Sequence, residues 1–203
     1  MAINNFTGKD NEDVLVVKTN KLFPDGVWQG FKKLDEDYFI NFINSNSEYL
    51  KRGFAETDDS YQQIVAQIIL KVGKKIFIHK VAQTGSESRL HDLWPIFIGG
   101  HINNSDKNIS DAFDREFSEE IDYSGKIISK KFLGAVKLHD NPVNRVHIGL
   151  VWLYEGDTEL FENTGDDGLV EGHFADLNEL KEIENNMTYW SKIVAPEIYP
   201  LLI

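Results

Sequence analysis

A mixed α/β fold is what this 203-residue sequence predicts. Three observations predict it. Short runs rich in Ile and Val recur between residues 14 and 155, bounded by Gly, Pro, Asn and Asp, and read as strands. Among them Ile109, Phe113, Phe117 and Ile121 recur every four residues, the apolar stripe of an amphipathic helix. After the last strand, residues 178–185 and 190–202 read as two closing helices.

In order, residues 1–13 are polar, and the β-branched run 14–17 is the first strand. Pro24, Asp25 and Gly26 supply a turn, and residues 38–43, with Phe39, Ile40 and Phe42, pack as either a helix or a strand. Residues 64–70 and 75–81 form two strands joined at Val72-Gly73-Lys74, a hairpin. His79 on the second of these reads as a packed or edge residue, since no second metal-type residue stands beside it. PIFIGGHI resumes the strand pattern after GSESRLHDLW breaks it. Beyond the amphipathic helix, KKFLGAVKLHD and RVHIGLVWLYE are two more strands separated by the turn NPVN. The acidic segment 156–168 reads as a mobile loop, and Pro196 and Pro200 limit the last helix. Trp190 and Tyr189 read as core or lid residues.

The length fits one domain, or one domain with an extension, and allows a sizeable core. A net charge of −12 and pI near 4.9 argue against duplex nucleic acid and anionic lipid as partners. An anionic nucleotide stays compatible, because local Arg, Lys and a bound metal outweigh the global field. There is no cysteine, which excludes disulfides, thiolate metal sites and cysteine nucleophiles. No apolar run approaches the roughly 18 residues of a membrane span, and MAINNFTGKDNED lacks a signal-peptide pattern, so a cytoplasmic protein is expected.

The chemistry is concentrated in residues 99–122, GGHINNSDKNISDAFDREFSEEID. Glu116, Glu119 and Glu120 are three and four apart on a helix, so they point the same way and repel one another unless a cation sits among them. Oxygen ligands of this kind suit Mg²⁺ or Mn²⁺, which bind through carboxylates and substrate phosphates. A solvated acidic helix face accounts for a single Glu-Glu pair; it leaves the double glycine, the apolar strand before it and Arg115 among the acids unexplained.

This stretch resembles the Nudix box: Gly, five residues, Glu, seven residues, then Arg-Glu-apolar-x-Glu-Glu-x-Gly-apolar. Gly100, Arg115, Glu116, Phe117, Glu119, Glu120 and Tyr123 match it. The loop is one residue longer than the pattern, so Asp106 takes the place of the first Glu only if the extra residue follows it, and Asp122 replaces the last glycine. The wider stretch ESRLHDLWPIFIGGHI is similar to a bacterial and archaeal Nudix subgroup with E-x-R-L before a strand ending in GGHI. The isopentenyl diphosphate isomerases, which resemble this fold but use a catalytic Cys, are excluded.

The resemblance implies an α/β/α sandwich with a mixed sheet, comprising a Nudix hydrolase domain at 61–203 and an extension at 1–60 packed on it. It implies a metal-dependent hydrolase that cleaves the diphosphate linkage of a nucleoside diphosphate derivative. Glu116 and Glu120 would be the primary metal ligands, Glu119 a ligand directly or through water, and the Gly99 carbonyl a further one. Arg115 would orient the glutamates. An additional acid comes from the later segment, with Glu162, Asp166, Asp167 and Glu171 as candidates; Glu171 is preferred because VEGHFADLNEL resembles the family's returning strand. Arg89, His101 and Arg145 are candidates for substrate binding, with His91 and His147 near the same region. A homodimer is compatible with the family. The alternative is a Nudix-like domain that binds a nucleotide or sugar phosphate as a sensor without cleaving it.

Overall fold

The longest strand among the described residues organises the rest. The computed structural model describes residues 8–81, 92–163 and 169–203. In chain order the elements are β1 (Asp13–Lys18), α1 (Thr19–Leu22), β2 (Gly30–Lys32), α2 (Glu36–Asn46), β3 (Ser47–Lys51), α3 (Arg52–Ala55), β4 (Tyr61–Val72) and β5 (Lys75–Val81). They continue with α4 (Ile109–Glu120), β6 (Ile121–Tyr123), β7 (Ile127–Lys137), α5 (Pro142–Val146), β8 (His147–Gly156), β9 (Phe161–Asn163), β10 (Leu169–Ala175), α6 (Leu177–Ile183) and α7 (Tyr189–Ile198).

The large sheet runs β10-β5-β4-β8-β7-β2, with β1 beside the start of β4 and β3 outside β1. β4 and β8 are parallel, paired from Gln63↔His147 to Val72↔Gly156, and the other pairs are antiparallel, so the sheet is mixed. Residues 8–60 enter this sheet through β1, β2 and β3.

β4 reads as a near-continuous apolar run because both of its faces are covered. Ile64, Ala66, Ile68 and Leu70 face one layer, with Phe39 and Ile43 of α2 and Ile109, Phe113 and Phe117 of α4. Ile69 faces the other, with Leu180 of α6 and Val194, Ala195 and Ile198 of α7. Helices on both faces of a mixed sheet make this the expected α/β/α sandwich.

Residues 38–43 fall within a helix: Asp35 caps it by accepting from the Tyr38 N–H (2.8 Å), and Phe39 and Ile43, four apart, are its buried face. The β4–β5 hairpin is paired only at its turn, through Lys71↔Ile76 and Val72↔Lys75. Further along, residues 98–101 lie against β4 instead: Ile98 and Ile68 exchange two 2.8 Å backbone hydrogen bonds, and His101 bridges to Val65. PIFIGGHI is therefore an irregular added segment where a full strand was expected. Gly99 interrupts it at φ +148°, where a Cβ would lie 2.2 Å from the Ala66 carbonyl oxygen.

The turn expected at NPVN is the short helix α5, because Asn141 accepts from the Asn144 N–H (2.9 Å) and Pro142 supplies a pre-set φ in the first turn. Within the segment expected to be a loop, β9 pairs with β6; residues 164–168 lie outside the described residues. Helix α7 runs through Pro196 to Ile198, against the expected stop: the proline removes one backbone donor near the end, and Pro200 falls in the turn that follows. No helix among the described residues is long and apolar enough to cross a membrane.

Candidate active site

Helix α4 starts where Asn108 accepts from the Asp111 N–H (2.9 Å). Ile109, Phe113 and Phe117 are buried along one stripe, with Phe113 against Trp152 and Phe117 against Tyr154. Burial of that stripe sets the rotation of the helix, which leaves Arg115, Glu116, Glu119 and Glu120 on the flank.

Arg115 is the centre of this flank. Its Nε donates to Asp106 Oδ1 (2.7 Å) and its Nη2 to Asp106 Oδ2 (2.9 Å), a two-pronged pair with a carboxylate that is almost wholly buried. Nη1 donates to Glu116 Oε1 and Glu119 Oε2, both at 2.8 Å, and Nη2 also reaches the His101 carbonyl at 3.0 Å. Asp106 thus meets Arg115 with five residues between it and Gly100, and the extra residue falls between Asp106 and Arg115. The pair with Asp106 raises the guanidinium pKa above its ordinary value, and Glu116 adds to it.

Glu116 is the buried glutamate of the three. Its carboxylate lies on the Gly100 backbone, where a Cβ would come within 2.5 Å of Oε2 and would displace the carboxylate. Burial pushes Glu116 up to about 7 against the pull of Arg115, and Glu119 and Glu120 push the same way. One guanidinium serves three carboxylates, two of them buried, and the donor atoms they offer are all oxygen. That set fits a hard divalent cation such as Mg²⁺ or Mn²⁺.

Gly99, Gly100, His101 and Glu120 border a cleft of about 550 Å³. Its far end is apolar, with Val81, Leu93, Pro95, Phe97 and Trp190. Trp190 fits because Gly149 has no side chain: a Cβ there would lie 2.6 Å from the indole ring. His79 also borders the cleft; its Nε2 lies 3.0 Å from the Phe97 carbonyl, and its Nδ1 has no partner among the described residues, as is true of the Trp190 Nε1. Burial pulls the His79 pKa down to about 4, so the ring is neutral near pH 7.

A second wall carries Arg52, Glu56, Asn144 and His147. His101 Nε2 and His147 Nε2 are 3.1 Å apart, and Glu56 Oε1 is 3.6 Å from His147 Nε2. Burial holds the His101 pKa well below its ordinary range, helped by His147, Arg52 and Lys9; burial lowers that of His147 against the opposing charge of Glu56. His147 is placed by Lys137, whose buried Nζ reaches Gln62 Oε1 (2.5 Å) and the carbonyls of Asn144 (2.6 Å), Arg145 (2.9 Å) and His147 (3.0 Å).

Of the residues singled out in the sequence, Gly99, His101, Arg115, Glu116, Glu119 and Glu120 come together around the box. Arg145 has an exposed side chain and contributes its carbonyl to Lys137 and Gln62. Glu171 is exposed on edge strand β10 opposite Lys80, and Glu162 pairs with Asp122 between β9 and β6. Neither borders the cleft. Arg89, His91, Asp166 and Asp167 lie outside the described residues. Sequence reasoning passed over Glu56 and Arg52, which carry no local signal: only the pairing of β1 with β3 and β4 brings α3 to the cleft.

The sandwich and the box on its flank define a class, and the chain belongs to the Nudix superfamily. The crystal structure of Tm1382, a protein assigned to the Nudix hydrolases, superposes with a TM-score of 0.80 at 28% identity over 94% of this chain and all of that one. Protein YmaB of Bacillus subtilis (strain 168) is 26% identical over 205 residues, 92% of this chain and 97% of YmaB. A bifunctional NMN adenylyltransferase/ADP-ribose pyrophosphatase from Francisella tularensis, solved with AMP and a manganese ion, shares the fold over 70% of this chain and 42% of its own length, with a TM-score of 0.53 and 18% identity. No family model matches the sequence.

Proposed function

We propose that this chain is a metal-dependent hydrolase of the Nudix type that cleaves the diphosphate linkage of a nucleoside diphosphate derivative. The observation that supports this best is the convergence of Glu116, Glu120 and the Gly99–Gly100 backbone beside a cleft with one charged and one apolar end. A sensor would need the cleft but has no use for Glu116 and Glu119 gathered on one arginine.

Glu116 and Glu120 would hold Mg²⁺ or Mn²⁺, with Glu119 and the Gly99 carbonyl completing the set. A divalent cation there supplies charge neutralisation to the diphosphate and lowers the pKa of a bound water. Arg115 orients the glutamates and is not a phosphate ligand, since its donors are already directed at Asp106, Glu116, Glu119 and the His101 carbonyl. Arg52 and Lys9 border the charged end and would face the phosphates, while Val81, Leu93, Pro95 and Phe97 would pack against a ring seated at the apolar end. Arg89 remains a candidate phosphate clamp, Arg145 and His101 candidate substrate contacts, and Glu171 a candidate additional acid. The protein is read as cytoplasmic, acting on a small molecule.

The test is release of phosphate products with Mg²⁺ and with Mn²⁺ across nucleotide sugars, dinucleoside polyphosphates, ADP-ribose, NADH and nucleoside triphosphates. Metal-dependent cleavage of at least one is expected, with Glu120→Gln lowering turnover by orders of magnitude and leaving the thermal melt in place. Full activity in Glu120→Gln would sink the assignment. Binding of one compound without cleavage would select the sensor reading.

A further inference from the structure

We propose that Glu56, His101 and His147 form a metal site distinct from the box carboxylates, for a divalent transition-metal ion of the Zn²⁺ or Co²⁺ type, where the second wall of the cleft meets the segment after Gly100. One ligand atom from each of the three lies within 4.8 Å of the other two. The residues come from three separate parts of the chain: the end of α3, the segment after Gly100 and the start of β8. All three border the cleft.

The geometry between the rings carries the argument. Two Nε2 atoms at 3.1 Å must share a proton or converge on a cation. Their rings are edge-on, 70° apart with centroids at 5.2 Å, an orientation that lets both nitrogens aim at one point. For metal–nitrogen bonds of about 2.0–2.1 Å, an N···N edge of this length corresponds to a ligand angle of roughly 100°, close to tetrahedral.

The tautomer is set for it. His147 Nδ1 donates to the Val143 carbonyl at 2.7 Å, which directs the remaining ring nitrogen toward His101 and is the outer hydrogen bond that metal-binding imidazoles commonly make. Both backbones are tied down, His101 by Arg115 and His147 by Lys137, so little ordering is left for binding. Glu56 adds a carboxylate, whose Oε1 faces His147 Nε2 at 3.6 Å and also accepts from Arg52 Nε at 3.4 Å. Two imidazoles and one carboxylate select Zn²⁺, Co²⁺ or Fe²⁺ over Mg²⁺, and three protein ligands leave a coordination position facing the cleft.

The site does not depend on what the box hydrolyses, so the experiment begins with the box disabled. In the full chain carrying Glu116→Gln and Glu120→Gln, a single Zn²⁺ per chain should survive equilibrium dialysis, and Co²⁺ should give the visible absorption of a nitrogen-ligated tetrahedral ion. Excess Mg²⁺ should not displace it. Adding Glu56→Gln should weaken Zn²⁺ binding at least tenfold. In the unaltered chain, Zn²⁺ should shift the ring ¹⁵N signals of His101 and His147 and leave those of His79 in place, a readout that needs no folding-competent variant. No zinc in the box-disabled chain, displacement by Mg²⁺, or unmoved His101 and His147 signals would each overturn the proposal. A chain that binds zinc this way but cleaves nothing keeps this site and loses the hydrolase; one that cleaves with Mg²⁺ but shows none of these signals does the reverse.

Discussion

Two cations, Arg115 and Lys137, hold the segments of the cleft that carry His101 and His147, and they do so in opposite electrostatic surroundings. Arg115 grips the His101 carbonyl from within a cluster of carboxylates; Lys137 grips the His147 carbonyl from within a ring of neutral oxygens. The first pKa is raised and the second is pulled down to about 7, although Lys137 is the more deeply enclosed of the two. Burial costs a charge its hydration in both places, and only the carboxylates return enough to reverse the sign. The arginine is therefore a permanent charge that any metal or phosphate in the cleft must reckon with. The lysine is a clamp whose charge can titrate.

The sharpest way to break this comparison is Arg115→Ala. It would strand the Asp106 carboxylate, 3% exposed, and that of Glu116, 9% exposed, without a counter-ion. Removing one partner of such a cluster should destabilise the fold by about 3 kcal/mol in urea titrations. Arg115→Lys should recover only part of that, because an ammonium cannot reproduce the two-pronged pairing with Asp106. Equal stability of the alanine variant and the parent would mean that the cluster contributes nothing to the fold.

Lys137→Met should cost about 2 kcal/mol at pH 7, since the facing carbonyls lose their donor. The pH dependence sharpens the contrast with Arg115. Burial lowers the folded pKa of Lys137 from 10.5 to about 7, so between these values the unfolded chain binds the extra proton and stability rises with pH. This contribution is complete above the unfolded value and is lost as pH falls through the folded one. Unfolding free energies at pH 7, 8 and 9 should therefore climb more steeply for the parent than for Lys137→Met, by at most about 1.4 kcal/mol per pH unit. Parallel lines would mean that the four oxygens keep the ammonium charged throughout, making the two clamps alike.

The two clamps also differ in how legible they were. Arg115 lies in a local pattern whose partners are within one helical turn or one loop, so spacing alone brings Glu116 and Glu119 to it, and the four-residue recurrence of Ile109, Phe113, Phe117 and Ile121 orients the helix. Lys137 reads in sequence as one more residue of a strand; its partner Gln62 lies 75 residues away and meets it only because β4 and β8 pair in parallel and β7 returns beside β8. His101 and His147, 46 residues apart, are brought together by the same pairing, so each taken singly gave no reason to expect the other. The helix through residues 38–43 and the short helix at Pro142 turn on the caps Asp35 and Asn141, whose side-chain bonds are local but not visible in hydrophobic periodicity.

The smallest effect tests whether proximity to Arg115 or burial decides what a carboxylate is worth. Glu119 makes the same 2.8 Å contact to the same nitrogen as Glu116, yet its side chain is 58% exposed against 9%. Exposed pairs at this helical spacing contribute only about 0.3–0.5 kcal/mol, because water screens them and both side chains lose rotamer freedom. Glu119→Gln should therefore shift the urea midpoint barely at all, and the shift should vanish in high salt. A loss comparable to that of Arg115→Ala would mean that Glu119 is held as tightly as the buried acids, and that the arginine sets the energy of every carboxylate it touches whatever its exposure.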